Sequence, residues 1–237
     1  MIRTAAILYD VHGNLPALEA VLRAVDEEDT EAIVCGGDLL LGPFQAECYA
    51  LLRDRDARFL KGNQERLVLA GEGELHAWCK RQLSEEIRSS VASWPAGLQL
   101  DFESLGRVVF CHATPRSDEE IVTQASPDPV VRAAMAGTGA AVIVAGHTHQ
   151  QFDRTVDGVR VINAGSVGLP YEGEAGAFWL RIDRSMELRR TPYDTQEAID
   201  RMRASGMPEL DEFFSESLVH PIPRQEATAE FERQAGR

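Results

Sequence analysis

The sequence predicts an α/β chain in which parallel and antiparallel strands are mixed. Three observations carry that expectation. Short apolar runs, partly β-branched, recur at 5–8, 32–35, 59–60, 108–111 and 141–145, and each stops at Gly or a polar residue. Such runs read as buried strands. Between the first two lies a segment of helical period, with Leu15, Leu18, Val21, Leu22 and Val25 on one face. Further on, Asp157-Gly158 separates two alternating apolar runs, a strong hairpin signal.

The elements follow in order. Asn14 is placed to cap the first helix, and Pro16 sits in its first turn. A second helix is expected over 45–53. Residues 64–94 read as helical, with a break near 71–73 and an end at Pro95. Residues 98–110 form a hairpin turning near 104–107, and 128–135 a helix with Pro127 and Pro129 near its start. The Asp-Gly hairpin pairs 152–156 with 159–163. Another pairs 177–182 with 186–191, turning at 183–185. On this pattern the first half is mainly parallel and the second mainly antiparallel. An amphipathic helix over 195–205 ends at Gly206. The main domain is expected to span 1–206. The tail, 207–237, is acidic, and Phe213, Phe214, Leu218 and Val219 could dock it on the domain or on a second subunit, which makes a homodimer an expectation.

Composition sets limits. At 237 residues and 44% hydrophobic content the chain can bury a sizeable core. A net charge of −14 argues against tight binding to a nucleic-acid backbone. No run of ~18 apolar residues exists, so no membrane span is expected. The N-terminus enters a strand directly, without a secretory pattern, so the cytoplasm is the expected location. The four cysteines, Cys35, Cys48, Cys79 and Cys111, show no C-x-x-C spacing; disulfides are not expected.

The polar ends of the apolar runs form five motifs: Asp10-Val11-His12-Gly13-Asn14, Gly37-Asp38, Gly62-Asn63, His112 and Gly146-His147-Thr148-His149. In open α/β sheets, ligands gather beyond the carboxyl ends of strands. Five strands would thus deliver Asp10, His12, Asp38, Asn63, His112, His147 and His149 to one edge. These groups can hold two divalent ions. Asp38 is the natural bridge, since an anion between two cations offsets their repulsion. Aspartate and histidine suit Mn, Fe, Co, Ni or Zn. Asn63 adds a neutral carbonyl. A water shared by the two ions can lose a proton near neutral pH and attack phosphorus while the ions clamp the phosphate oxygens.

With these motifs the chain resembles the calcineurin-like metallophosphoesterase superfamily. The match lies in D-x-H-G-N, G-G-D, G-N, an isolated His after a strand, and G-H-T-H, over roughly residues 5–190. His112-Ala113-Thr114-Pro115 and Asn163-Ala164-Gly165-Ser166-Val167-Gly168 are similar to the small prokaryotic phosphodiesterase branch. The resemblance implies a four-layer α-β-β-α sandwich. It implies one ion on Asp10, His12, Asp38 and His149, and a second on Asp38, Asn63, His112 and His147. It also implies that an insertion at about 64–96 caps the site, with Trp78, Arg81, Arg88 and Trp94 as candidates for shaping the cleft.

Two departures from the family stand out. Gln64 occupies the place of the usual histidine after Gly-Asn, and an amide cannot deliver a proton. Loss of a general acid costs about 10²–10⁴ in rate, so esters with good leaving groups are favoured. His76 is a candidate replacement acid. Tyr9 replaces a frequent Ser and is expected to narrow the site. Besides Asp38 and Asn63, candidate catalytic residues are Asn14, which could reach the nucleophile or phosphate, Arg116, which could hold a phosphate oxygen, and Gln64. Tyr171 could stack on a substrate ring, and Asn163, Gly165 and Ser166 could back the ligands. The expected activity is metal-dependent hydrolysis of a small phosphodiester. A phosphomonoesterase or protein phosphatase is the alternative, although Gly37-Asp38-Leu39-Leu40-Leu41-Gly42 lacks the second Asp and the Arg of that branch. A non-catalytic scaffold, similar to the metallophosphoesterase-like subunit of the retromer coat, is another.

Overall fold

The computed structural model describes residues 1–237, apart from the side chain of Ser215. The chain opens with β1 (Ala5–Leu8), α1 (Leu15–Asp26), β2 (Ala32–Cys35), α2 (Gln45–Arg53) and β3 (Arg58–Phe59). Three helices follow: α3 (Asn63–Ala70), α4 (Glu74–Gln82) and α5 (Glu85–Ala92). Next come β4 (Gly97–Phe102), β5 (Gly106–Cys111), α6 (Asp128–Ala134), β6 (Val142–Ala145), β7 (Phe152–Val156) and β8 (Val159–Asn163). Then β9 (Ala177–Ile182), β10 (Met186–Thr191), α7 (Thr195–Arg203), α8 (Leu210–Phe214), a π-helical turn (Ser215–Val219) and α9 (Arg224–Gln234) complete the chain.

Local chemistry sets several boundaries. Asn14 caps α1, its Oδ1 accepting from the Ala17 amide at 3.1 Å, and Pro16 sits where a missing N–H costs nothing. Ser84 and Asp194 cap α5 and α7 in the same way. The expected break at 71–73 separates α3 from α4, and Gly71 ends α3 in the left-handed conformation at φ 73°.

The strands form two five-stranded sheets, ordered β10-β9-β1-β2-β3 and β4-β5-β6-β8-β7. In the first, β1, β2 and β3 run parallel, and β9 joins β1 antiparallel. In the second, β5, β6 and β8 run parallel between antiparallel edges β4 and β7. This corrects the expected division into a parallel first half and an antiparallel second half. The hairpins form where the turn signals put them. The inner strands β5 and β8 then pair in parallel with β6, while β9 pairs antiparallel with β1, long-range choices that turn residues do not encode.

The strand alternation explains the layers. Ala5, Ile7 and Tyr9 face the second sheet and meet Phe110, Val144 and Ile162 across the interface. Ala6 and Leu8 face outward and pack with Leu18, Val21 and Leu22 of α1 and with Cys48 and Leu52 of α2. Val109, Ile143 and Val161 cover the opposite outer face against Val131 and Ala134 of α6. The order is helix, sheet, sheet, helix. No helix is long and apolar enough to cross a membrane.

The C-terminal segment packs on this framework. Leu210, Phe214 and Leu218 join Ile199 and Met202 of α7 and Leu169 in one buried cluster. The Gln150 side chain donates to the Arg224 carbonyl at 2.8 Å, and Thr123 donates to Glu232 at 2.7 Å. Of the apolar tail residues that pointed to a second subunit, Phe214 and Leu218 are buried within the chain, and Val219 is 42% exposed.

Candidate metal centre

The seven ligand candidates converge. β1, β2 and β3 of the first sheet end at Asp10, His12, Asp38 and Asn63. β5 and β6 of the second end at His112, His147 and His149. Asp10, His12, Asp38 and His149 offer ligand atoms within 4.8 Å of one another; so do Asp38, His112 and His147. Asp38 belongs to both groups. Asn63 Oδ1 lies 3.0 Å from His112 Nε2, on the side of the second group.

Backbone carbonyls orient the imidazoles. Nδ1 of His12 donates to the Leu41 carbonyl at 3.2 Å, Nδ1 of His149 to Leu169 at 2.6 Å, and Nδ1 of His112 to Gly36 at 3.0 Å. His147 is turned over: its Nε2 donates to Glu119 at 3.2 Å, leaving Nδ1 for the centre. Each ring thus has one nitrogen fixed by a carbonyl and turns the other toward the centre, the usual support of a metal-ligating histidine.

Three features fit bound cations. Nε2 of His12 and Nε2 of His149 face each other at 3.3 Å, and both rings spend their N–H on carbonyls. Two lone pairs at that distance repel unless a cation sits against them. Asp10 Oδ1 is fully buried without a hydrogen-bond partner, a costly state for a carboxylate oxygen. And five of the eight non-glycine residues with positive φ are ligand candidates: Asp10, His12, Asp38, His147 and His149. Such conformations cost about 1–3 kcal/mol each and gather at functional sites. The residues present therefore fit two divalent ions.

Titration agrees with the geometry. Burial, with the neighbouring His149, lowers His12 to about 4. Burial, with His112, lowers His147 to about 4. Both rings are thus neutral and ready to ligate at pH 7. His112 behaves differently: burial lowers it, but Asp38 and Asp10 outweigh burial and push it up to about 10. Its Nε2 lies 3.3 Å from Asp38 Oδ2. For Asp38, burial raises the carboxyl, and His112 outweighs burial to hold it below the usual range.

Glu65 organises the loops around Asp38, and sequence reasoning gave it no role. Its buried carboxylate accepts from the amides of Asp38 (2.8 Å), Leu39 (2.8 Å), Leu40 (3.2 Å) and Gly62 (2.7 Å). One signal was available: Glu65 stands three residues after Gly62, the spacing of an acid that reaches back to a helix start. Asp38 Oδ1 also accepts from the Gln64 amide at 2.8 Å.

Behind the ligands, Ser166 donates to the Asp10 carbonyl at 2.7 Å and Asn163 donates to Thr148 at 3.1 Å. Both brace ligand loops, and the Gly165 amide donates to Asn163 Oδ1 in the same turn.

Several expected residues are placed elsewhere. Asn14 is fully buried; its side chain caps α1 and donates to Gly168 and Tyr193, so nothing remains for a nucleophile or phosphate. Arg116 is exposed and paired with Glu120; it does not line the cleft over His12, His147 and His149 but a neighbouring groove that His112 also borders. Tyr9 does not narrow the site. It is buried between the sheets, with its hydroxyl 3.0 Å from the Cys111 carbonyl and 3.1 Å from that of Val144. Gly36 makes room for it: a Cβ there would come within 2.0 Å of the Tyr9 ring. Of the expected cleft-shaping residues, Trp94 stacks on Phe59 at 4.5 Å, and Trp78 packs on the apolar core. Arg88 donates to the Lys80 and Leu83 carbonyls, and Arg81 faces an outer groove of α3–α5. Burial pushes the Cys111 thiol up to about 12 and raises Cys35 as well, and neither sulfur stands among the clustered ligand atoms.

The cleft over the ligands measures about 370 Å³. Gln64 lines it, with its Oε1 3.0 Å from Nε2 of His76 on α4. The opposite wall comes from Leu169, Tyr171 and the C-terminal segment, through Phe213, Glu216, Ile222, Phe231 and Gln234. Tyr171 stacks on His149 at 5.2 Å, and the edge of Phe213 meets His12 at 5.9 Å. The tail thus faces the start of α3 across the cleft. Sequence reasoning saw its apolar residues but not their destination.

Comparison with known proteins agrees with this architecture. A family described as the calcineurin-like phosphoesterase superfamily domain matches residues 4–184. An uncharacterized protein of Methanocaldococcus jannaschii is 28% identical over 232 residues, covering 86% of this chain and 93% of its own. Among solved structures, a metallophosphoesterase from Sphaerobacter thermophilus superposes with a TM-score of 0.73 at 23% identity, covering 91% of this chain and 99% of its own. A hypothetical protein from Pyrococcus horikoshii OT3 superposes with a TM-score of 0.80 at 18% identity, covering 93% and 99%.

Proposed function

The chain belongs to the calcineurin-like phosphoesterase superfamily, and on that premise we propose that it is a phosphodiesterase acting on small esters with a pair of divalent ions. Asp10, His12, Asp38 and His149 would hold one ion. Asp38, Asn63, His112 and His147 would hold the other, with Asp38 between them. The nitrogen and oxygen donors suit Mn, Fe, Co, Ni or Zn. When bound, the ions supply positive charge to phosphate oxygens and an activated water at neutral pH.

The protein's own residues would set up the rest. Carbonyls of Leu41, Leu169, Gly36 and Glu119 hold the histidine rings in their binding tautomers. Glu65 fixes the Asp38 loop against Gly62. The wall formed by Tyr171, Phe213 and Phe231 excludes water from one side. Gln64 can hydrogen-bond a leaving oxygen but gives it no proton, so the rate depends on a leaving group that is already acidic.

One observation favours diesters. Among the described residues, the cleft lining contains no Lys or Arg, and it includes Glu216 and Glu230. A monoester dianion would have only the ions to offset its second charge, whereas a diester carries one. The four cysteines are free and buried, in keeping with a reducing cytoplasm as the proposed location.

The test compares Mn²⁺-loaded hydrolysis of bis-p-nitrophenyl phosphate and p-nitrophenyl phosphate. A higher kcat/KM for the diester is expected. A higher value for the monoester would move the assignment to a phosphomonoesterase. No turnover of either would favour a scaffold.

A further inference from the structure

The metal cleft has two unlike ends. Its floor gathers the cation ligands. Its outer wall is aromatic and acidic: Tyr171, Phe213, Phe231 and Glu216 all line it. The rings lie close together, Phe231 at 5.9 Å from Tyr171, which itself stacks on His149. Glu230 is already paired with Arg233 and accepts from Gln234. Glu216 is exposed, and among the described residues it makes no ion pair. Its side chain lines the same cleft as the three rings. Glu216 lies in the π-helical turn Ser215–Val219 that interrupts the path from α8 to α9. Such turns occur often at functional sites.

Consider what this wall selects once a phosphate sits on the floor. A second phosphate would meet the Glu216 carboxylate with no Lys or Arg lining the cleft to offset it. An uncharged apolar group would gain contact with the rings only. A cationic group would gain both the ring faces and the carboxylate. Attraction between a cation and an aromatic face is strongest where water is partly excluded, and this wall closes one side of the cleft.

We propose that the cleft accepts phosphodiesters whose non-leaving alcohol ends in a cationic ammonium head, seated against Tyr171, Phe213 and Phe231 beside Glu216. This subsite rests on the phosphodiesterase reading and adds the charge of the substrate's second arm. The substrate as a whole is then zwitterionic, with the phosphate on the metal side and the ammonium on the tail side. A strongly acidic protein would gain from that arrangement, because such a substrate carries no net charge to be repelled.

Two esters that share a leaving group test it. p-Nitrophenyl phosphorylcholine carries the cationic head. 3,3-Dimethylbutyl p-nitrophenyl phosphate has the same shape with carbon in place of the charged nitrogen. Hydrolysis of each releases p-nitrophenolate and leaves the other alcohol on phosphate. With the metal-loaded full chain, kcat/KM should favour the choline ester on the order of tenfold, the scale of one partly desolvated cation–aromatic contact. In Glu216→Gln the ratio should fall, because the carboxylate's share of the attraction is lost while the rings remain. Calorimetric titration gives a readout without turnover: choline should bind the metal-loaded chain more tightly than 3,3-dimethylbutanol, and Phe231→Leu should weaken choline more than the alcohol. Equal kcat/KM for the two esters overturns the cationic subsite and leaves the phosphodiesterase standing. So does a preference left unchanged by Glu216→Gln, or equal binding of choline and the alcohol. If neither ester is hydrolysed, the phosphodiesterase reading fails and the subsite with it.

Discussion

Replacing Glu65 by alanine should damage both stability and metal binding, and the size of the effect can be worked from the contacts. The carboxylate accepts four backbone N–H groups at 2.7–3.2 Å, from Gly62, Asp38, Leu39 and Leu40. Each buried amide left without an acceptor costs about 1–3 kcal/mol. The simple sum overstates the loss for two reasons. Water can enter the space vacated by the side chain. The carboxylate is also under strain, since burial and the nearby Asp38 push it up to about 7 against the pull of the amides. Breaking a buried charged network from one side costs about 3–5 kcal/mol, and that range is expected here. For a chain of this size it corresponds to a fall in Tm of about 6–20 °C. The Asp38 loop would lose its anchor to Gly62, so metal affinity should fall by about 10–100-fold, as when support behind a ligand is removed. Urea denaturation of the metal-free protein reads the first quantity, and calorimetric titration with Mn²⁺ reads the second. A variant within about 0.5 kcal/mol of the parent, with unchanged Mn²⁺ affinity, would refute the role given to Glu65.

Three further predictions follow from the centre. Gly62→Ala would put a Cβ 2.2 Å from Asp38 Oδ1, so the carboxylate must move; the variant should lose metal and activity together, and normal metal content would show that the loop yields instead. Gln64→His should raise kcat on esters of poor leaving groups more than on p-nitrophenyl esters, as expected of a regained general acid; equal gains on both would mean the residue only binds phosphate. In the metal-free protein, His112 is raised to about 10 by Asp38 and Asp10 acting against burial. Its charged form therefore contributes stability that is fully present below about 6.5, its unfolded value, and is lost as pH rises through 10. Metal binding requires the neutral ring, so at pH 8 it should release about one proton from this site, and affinity should rise with pH. Calorimetry in buffers of different ionisation enthalpy measures the release; none at pH 8 would contradict it.

The convergence of the candidate ligands was legible because each follows an apolar run. Asp10, Asp38, His112 and His147 come just after strands, and strand ends collect at one edge whatever the order of the strands. The pairing of β5, β6 and β8 was not legible, because turn residues such as Asp157-Gly158 specify a hairpin but not its neighbour. Tyr9 misled for a related reason. Adjacency to Asp10 in sequence placed it near the site, but β-alternation turns it into the space between the sheets, where glycine at position 36 leaves room for the ring. Asn14 could serve as cap or as catalyst from sequence alone, and its three hydrogen bonds decide for the cap. The tail was hardest to place. Phe213 reaches the cleft through packing with Leu169 and α7, and Phe231 through its contact with Tyr171, contacts with no local pattern.

The central claim is a pair of ions joined by Asp38 and used for hydrolysis. The most direct test measures metal content and bis-p-nitrophenyl phosphate turnover on the same Mn²⁺-loaded samples of wild type and Asp38→Ala. The account predicts two ions per chain with turnover in the wild type, and loss of both occupancies and of activity in the variant. Two tightly held ions in Asp38→Ala, or turnover that survives the substitution, would contradict it.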